Sequence, residues 1–426
     1  MNDPTDSGYA AANGLLDRRY FMRALAAGTG IVVGAYAASA SAQTAQQGRP
    51  DWMAAPGADS LEYGVPSSYA EEVKRFVPPP RPGYGIRSGG FTPHHLLHGT
   101  ITPNGLHFEV SHHGAPQVDP DQHRLVIHGL VDRPIKLSVD ALHNYATVTR
   151  CHFLECAGNS GALWAPEPSK DNLDRMYGLL SGAEWTGVPL STLLDEAGVR
   201  PQARWLVVEG GDSGSVSRSV PIEKALDDSM IALYQNGEPL RPGQGYPIRL
   251  LNPGFEGNTN IKWVRSIRLT DKPGMTRFET SSYTDLMPDG KALQFSLAME
   301  VKSVITRPSN VTKLPRRNAV YEVTGIAWSG NGRIRRVEVS ADGGRSWADA
   351  ELQEPVVPKM LTRFRIPWQW SGAPAVLQSR ATDDTGRVQP TRSALLAARG
   401  SNGPYHYNGI HSWQIDTAGS VEHVFA

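Results

Sequence analysis

Cysteine is the scarcest informative residue in this chain: 426 residues hold only Cys151 and Cys156. Two thiols are too few for a disulfide scaffold or for a thiolate-held iron–sulfur cluster, and they are not in the Cys-x-x-Cys-His order of covalent haem attachment, so the chain carries no such haem. Net charge is missing as well. Lys plus Arg and Asp plus Glu are each 42, so no overall positive field draws the chain to nucleic acid or to an anionic membrane. With 40% hydrophobic and 20% charged residues, both disorder and a polytopic membrane protein lose ground. Glycine (43) and proline (32) are plentiful, which implies many turns between short elements. The length implies two or three domains.

Long apolar runs are also lacking, apart from a mild stretch over residues 24–40, rich in Ala and Gly, that follows Arg18 and Arg19. It ends in Ala40, Ser41 and Ala42, a small-residue cleavage pattern. A membrane anchor is the alternative reading, but the Gly, Thr and Ser content favours a twin-arginine export signal over residues 1–42, cut after Ala42. Its removal takes away three residues of each charge sign, so the mature chain stays neutral. The expected location is the periplasm, with no membrane contact after cleavage. Because that route carries folded proteins, the address hints at a cofactor inserted before export.

Residues 43–87, with Pro78, Pro79, Pro80 and Pro82, read as an irregular arm. Residues 88–290 read as an α+β domain. Its expected strands are at 125–128, 205–209, 247–251 and 262–269, with helices opened by Ser138 and by Pro221. Residues 291–426 differ. Segments 320–328, 334–340, 347–352, 362–367 and 375–381 favour β-branched and aromatic residues and are separated by turns such as Ala341, Asp342, Gly343, Gly344. This spacing indicates an immunoglobulin-like sandwich.

Two chemistries are open for the cysteines: a disulfide across four intervening residues, or a thiolate ligand for a soft metal. Eight of the 13 histidines, His94, His95, His98, His107, His112, His113, His123 and His128, lie upstream. A His-ligated copper or zinc site is conceivable, but their spacing is irregular.

The run Phe153, Leu154, Glu155, Cys156, Ala157, Gly158, Asn159 resembles the cysteine motif of sulfite-oxidase-type molybdopterin enzymes. Further segments agree in order: residues 236–240, 245–249 and 260–263, then 336–344 with Trp347, which is similar to that family's dimerisation domain. The resemblance implies a sulfite-oxidase-like molybdopterin domain followed by the sandwich. It implies a molybdenum-molybdopterin cofactor with Cys156 as the metal ligand and Cys151 as a bystander. The pterin and its phosphate would be held by Ser111, His112, His113, Asp212, Gln244, Arg249, Asn260 and Lys262, Gln244 replacing a common His. Tyr283 matches the family's active-site tyrosine.

Departures from the family matter as much. Sulfite oxidases place an Arg where this chain has Ser111, and another just after the Cys-Ala-Gly-Asn motif, where it has Ser160 and Gly161. Serine and glycine cannot clamp a small dianion bidentately. The pattern is closer to the molybdenum subunits of sulfane dehydrogenases. That implies oxidation of a sulfane sulfur on a cysteine of a carrier protein by oxygen-atom transfer, with electrons leaving to a c-type cytochrome subunit. It also implies a homodimer through the last domain, or a hetero-oligomer. The alternatives are a periplasmic sulfite dehydrogenase, separable by turnover of free sulfite, and a non-catalytic exported binding or scaffold protein, separable by its metal content.

Overall fold

The structure is a computed structural model that describes residues 8–18, 20–22, 56, 58–80, 89–315 and 318–426. The apolar run at 24–40, Arg19 and the expected cleavage position lie outside the described residues, as does much of the arm before residue 58. Among the described residues no helix is long and apolar enough to cross a membrane.

Two five-stranded sheets build the first part of the chain. One runs Glu238–Pro239, Met230–Gln235, Leu180–Pro189, Val148–Glu155, with Arg249–Leu251 also paired to Met230–Gln235. The other runs Ile135–Ser138, Arg124–Gly129, Val264–Thr270, Trp205–Gly210, Ser217–Pro221. Arg124–Gly129 and Val264–Thr270 pair in parallel although 140 positions separate their starts, with Ser266 opposite Val126; the other neighbours in that sheet are antiparallel. Short helices such as Leu190–Ala197 pack Leu190, Leu193 and Leu194 into the shared core. This is the expected α+β arrangement.

Local signals explain most of the expected elements. Ser138 accepts the Ala141 N–H and opens the helix Val139–Leu142, and Pro221 precedes Ile222–Asp227. Extended strands form at Arg124–Gly129, Trp205–Gly210 and Val264–Thr270. The strands Val148–Glu155, Leu180–Pro189 and Met230–Gln235 carried no alternation to find. Met230 through Leu233 are all buried, and strands covered on both faces lose the period-two signal.

The last part is a sandwich of two antiparallel sheets. Lys302–Arg307, Ala319–Trp328, Thr362–Trp370 and Glu351–Leu352 form one, and Ala348–Asp349, Ile334–Ser340, Ala375–Asp383, Ser412–Ile415 and Val421–Val424 form the other. Trp328, Trp368 and Trp413 are fully buried between them with Phe364. The strands Ser412–Ile415 and Val421–Val424 near the C-terminus and the helix Arg392–Arg399 add to the segments expected from sequence.

The two parts are locked together by a buried ion pair. Lys302 donates to Glu155 Oε1 at 2.7 Å, and Trp328 Nε1 donates to Glu155 Oε2 at 2.7 Å. Both charged side chains are at most 2% exposed. Removing one partner of such a pair leaves the other charged and dry, at a cost of roughly 3–5 kcal/mol. Lys302→Met is therefore expected to lose stability on that scale in urea unfolding, and a loss below about 1 kcal/mol would contradict this reading of the junction.

Candidate active site

Cys156 stands at the C-terminal end of the strand Val148–Glu155, one residue beyond the buried Glu155. Its N–H donates to Leu179 O at 3.0 Å, and its own carbonyl accepts the Asn159 N–H at 2.9 Å, closing a tight turn. Asn159 braces that turn, donating to Glu155 Oε1 at 2.9 Å and accepting the Leu179 N–H at 3.1 Å. Gly257 packs against it so closely that a Cβ there would meet Glu155 O at 2.9 Å and Cys156 Cα at 3.2 Å. The thiol is thus held by backbone on several sides. Burial pushes its pKa up to about 11, against the pull of the Gly158 N–H.

Cys151 lies five positions earlier on the same extended strand, opposite Glu184. At about 3.3 Å per residue the two cysteines are roughly 16 Å apart along the chain, beyond the reach of a disulfide. Both are free thiols, which removes the disulfide alternative. The histidine-rich segment is dispersed. His94 and His107 are buried, with burial bringing both down to about 3. His95 meets Asp174, His123 meets Val264 O and His128 meets Ser266. Among the described residues no three His, Cys, Asp or Glu side chains are grouped to hold a metal ion, so the His-ligated alternative gains nothing.

A cleft opens beside Cys156, and Ser111, His112, Asp212, Gln244, Arg249, Asn260, Lys262 and Tyr283 all line it. Of the residues expected from sequence only His113 stands back, with Nδ1 3.9 Å from Asp212 Oδ2. Lys262 donates to Val110 O, Ser111 Oγ and Gly243 O at 2.7 to 3.0 Å. Arg249 donates to Gln244 O at 3.0 Å and Asn260 O at 2.9 Å, and Gln244 donates to Phe108 O at 2.8 Å. All these partners are uncharged. Burial, reinforced by Arg249, brings Lys262 down to about 7, and burial brings Arg249 down to about 9. Arg249 Nε and Asn258 Nδ2 are buried without a hydrogen-bond partner. Two buried cations without a carboxylate partner, together with the spare donors Arg249 Nε and Asn258 Nδ2 beside a thiol, fit an anionic group reaching to a thiolate-bound metal.

On the other side of Cys156 a second cleft is lined by Ser160, Gly161, Arg175, Tyr283 and Tyr405. Gly161 has no room for any side chain, since a Cβ would stand 2.7 Å from Pro404 O. Tyr283 has a left-handed backbone, φ 54°, and its hydroxyl is 3.2 Å from His112 Nε2. Burial first, and Cys156 second, raise the Tyr283 pKa beyond its usual value, so the hydroxyl keeps its proton.

Sequence reasoning missed what lies under that tyrosine. Arg218, fully buried, sits 5.0 Å from the ring of Tyr283 and pairs with Glu256 at 3.0 Å and Glu279 at 3.5 Å. It also bonds to Asn258, and His406 reaches Glu256 at 3.1 Å. Burial raises the Glu256 pKa, but the His406 bond and the neighbouring positive charges outweigh it, and the net direction is down. A charged residue on an inward strand position was the only available signal, and Arg218 in Ser217–Pro221 carries it.

Fold and site together define a molybdopterin-dependent oxidoreductase. Residues 112–278 match the oxidoreductase molybdopterin binding domain, and residues 294–413 match the Mo-co oxidoreductase dimerisation domain. The structure is similar to the sulfane dehydrogenase SoxCD from Paracoccus pantotrophus, with a TM-score of 0.84 and 43% identity, over 89% of this chain and 99% of that one. Mitochondrial sulfite oxidase of Rattus norvegicus is 31% identical over 329 residues, 71% of this chain and 60% of its own length. A nitrate reductase [NADH] of Solanum lycopersicum is 30% identical over 70% of this chain and 37% of its own. The chain thus spans about 60% of the sulfite oxidases it matches. It belongs to the sulfite-oxidase-type molybdopterin oxidoreductase family, and its cofactor is molybdenum-molybdopterin.

The buried lysine gives a pH signature to the cofactor-free protein. Unfolded, Lys262 keeps its proton up to about 10.5; folded, it gives it up near 7. Between those values the unfolded chain binds more protons, so stability rises with pH, by at most about 1.4 kcal/mol per pH unit from this group. Urea unfolding of cofactor-free protein at pH 7 and pH 9 is expected to show this rise, reduced in Lys262→Gln. An equal rise in both would remove Lys262 as its source.

Proposed function

We propose that this protein oxidises a sulfane sulfur carried on a cysteine of a separate carrier protein, in the periplasm, and passes the electrons to a c-type cytochrome partner. The observation that carries the proposal is the space beside Cys156. Where a small dianion would need guanidinium clamps, Ser111 is already bonded to Lys262, and Gly161 faces Pro404 O with no room for a side chain. The nearby Arg218 is spent on Glu256 and Glu279, and Arg175, which also lines the second cleft, is stacked on the Phe91 ring at 4.8 Å. A neutral sulfur at the end of a carrier arm suits such a cleft better than free sulfite does. The likeness to a sulfane dehydrogenase supports the same reading.

In this reading Cys156 binds molybdenum, and Cys151 has no part. Ser111, His112, Asp212, Gln244, Arg249, Asn260 and Lys262 hold the pterin and its phosphate, with Lys262 and Arg249 neutralising the anion and His113 standing behind Asp212. The bound cofactor supplies two-electron oxygen-atom-transfer chemistry. Tyr283 keeps its proton and orients the reacting oxygen by hydrogen bonding. His112, exposed and 3.2 Å away, connects that hydroxyl to water. Arg218 fixes the ring from below. Residues 1–42 form the export leader, 43–87 the arm, 88–290 the cofactor domain and 291–426 the dimerisation domain, through which two copies or a hetero-oligomer assemble.

Cys156→Ala is expected to abolish turnover while Cys151→Ala retains most of it, and equal loss would mean the ligand is misassigned. Tyr283→Phe is expected to lower kcat by about 10²-fold or more, as for loss of a positioned proton-holding group. Assays of the native complex on the sulfur-charged carrier and on free sulfite test the substrate. Efficient turnover of sulfite with no response to the carrier would instead favour a sulfite dehydrogenase.

A further inference from the structure

The N-terminal segment before the apolar run is not idle. Residues 9–16 form a small hairpin, with Tyr9 bridged to Leu16 and the Ala10 N–H donating to Leu15 O at 2.8 Å. Asn13 (φ 58°) and Gly14 (φ 92°) supply its turn, the Asn-Gly pair favoured where two successive residues need positive φ. The hairpin lies on the sandwich. Leu15 is fully buried within the sandwich core cluster, and Leu16 is 5% exposed.

The contact has the form of strand addition. Along one side the strand Thr362–Trp370 is paired to Ala319–Trp328 over its whole length. On its other side Glu351–Leu352 covers only Phe364 and Arg365. Beyond them the free edge is taken by the N-terminal segment: the Leu16 N–H donates to Pro367 O at 3.0 Å, and the Gln369 N–H donates to Gly14 O at 2.8 Å. Side chains add to the backbone pairing. Trp368 Nε1 donates to Asn13 O at 2.8 Å, Asn13 Nδ2 donates to Ala341 O at 2.6 Å, and the Ala12 N–H donates to Ser346 Oγ at 3.0 Å. Arg18 pairs with Glu351 at 2.6 Å. A Cβ at position 14 would stand 2.1 Å from Gln369 O, so only glycine permits this approach.

We propose that residues 8–18 are an intramolecular docking segment, and that the edge of Thr362–Trp370 is its binding site, specific for an Asn-Gly hairpin with a leucine anchor followed by an arginine. The proposal rests on the reading of residues 1–42 as an export leader. Its consequence is that Arg18 is carried on the surface of the sandwich only once that domain has folded. A leader for a route that carries folded proteins thereby holds a direct physical record of folding. The receiving edge includes both Trp368 and the backbone of Pro367 and Gln369, which exist in this arrangement only in the native sheet.

Hydrogen exchange on the purified full chain tests the proposal. The amides of Leu16 and Gln369 are expected to be protected in the wild type, and to exchange at least tenfold faster in Leu15→Asp, while amides between Ala319–Trp328 and Thr362–Trp370 stay unchanged. In a urea series the Leu16 amide is expected to lose protection in the same transition as the tryptophan fluorescence of the sandwich. Unprotected wild-type amides, no effect of Leu15→Asp, or release of the leader well before the sandwich unfolds would each overturn the proposal. Sequencing the N-terminus of protein recovered from cells separates the two readings. Retention of residues 1–42 on all of it would reject the leader while leaving the exchange result to decide the docking segment.

Discussion

The buried carboxylate of Glu155 is the interaction on which the rest of the structure depends. It ends the strand that delivers Cys156, and it collects donors from three places: Asn159 in the cysteine turn, Lys302 on the first strand of the sandwich and Trp328 at the end of the second. An ion pair this dry rarely stabilises a fold relative to apolar packing, yet it is intolerant of change in either partner. Its effect here is positional. It ties the turn that presents the thiol to a second domain, so the position of the metal ligand depends on the sandwich as well as on its own sheet.

Around that fixed point the charges are segregated. On one side of Cys156 stand Lys262 and Arg249, buried and satisfied only by neutral acceptors, with Arg249 Nε left over. On the other side, below Tyr283, Arg218 is matched by Glu256 and Glu279. The first cluster has an unmet demand for an anion, as a cofactor phosphate site should. The second has none to spare. The same two-sided arrangement that holds an anionic cofactor therefore leaves the guanidinium beneath Tyr283 committed to carboxylates, while Arg175 in the second cleft stacks on the Phe91 ring.

Much of this was legible in the sequence, for reasons that differ by element. The sandwich showed through because its strands, such as Thr362–Trp370, alternate buried and exposed positions and are separated by turns rich in glycine and aspartate. The central strands Leu180–Pro189 and Met230–Gln235 did not, because burial on both faces erases alternation. Cys156, Lys262 and Arg249 were found through an ordered set of motifs, and all three line one cleft. His113, named with them, stands outside it beside Asp212. Arg218, Glu256, Glu279 and Lys302 were not found, since their roles come from partners distant in sequence: 61 positions separate Arg218 from Glu279 and 147 separate Lys302 from Glu155. No local pattern records such pairings.

The central claim is that Cys156 and the uncompensated cations beside it hold a molybdenum-molybdopterin group. Metal analysis with molybdenum X-ray absorption on the native protein tests it most directly. Close to one molybdenum per chain is expected, with a sulfur ligand lost from its coordination shell in Cys156→Ser if any metal is retained. Native protein that is free of molybdenum, or an unchanged metal coordination shell in Cys156→Ser, would contradict it.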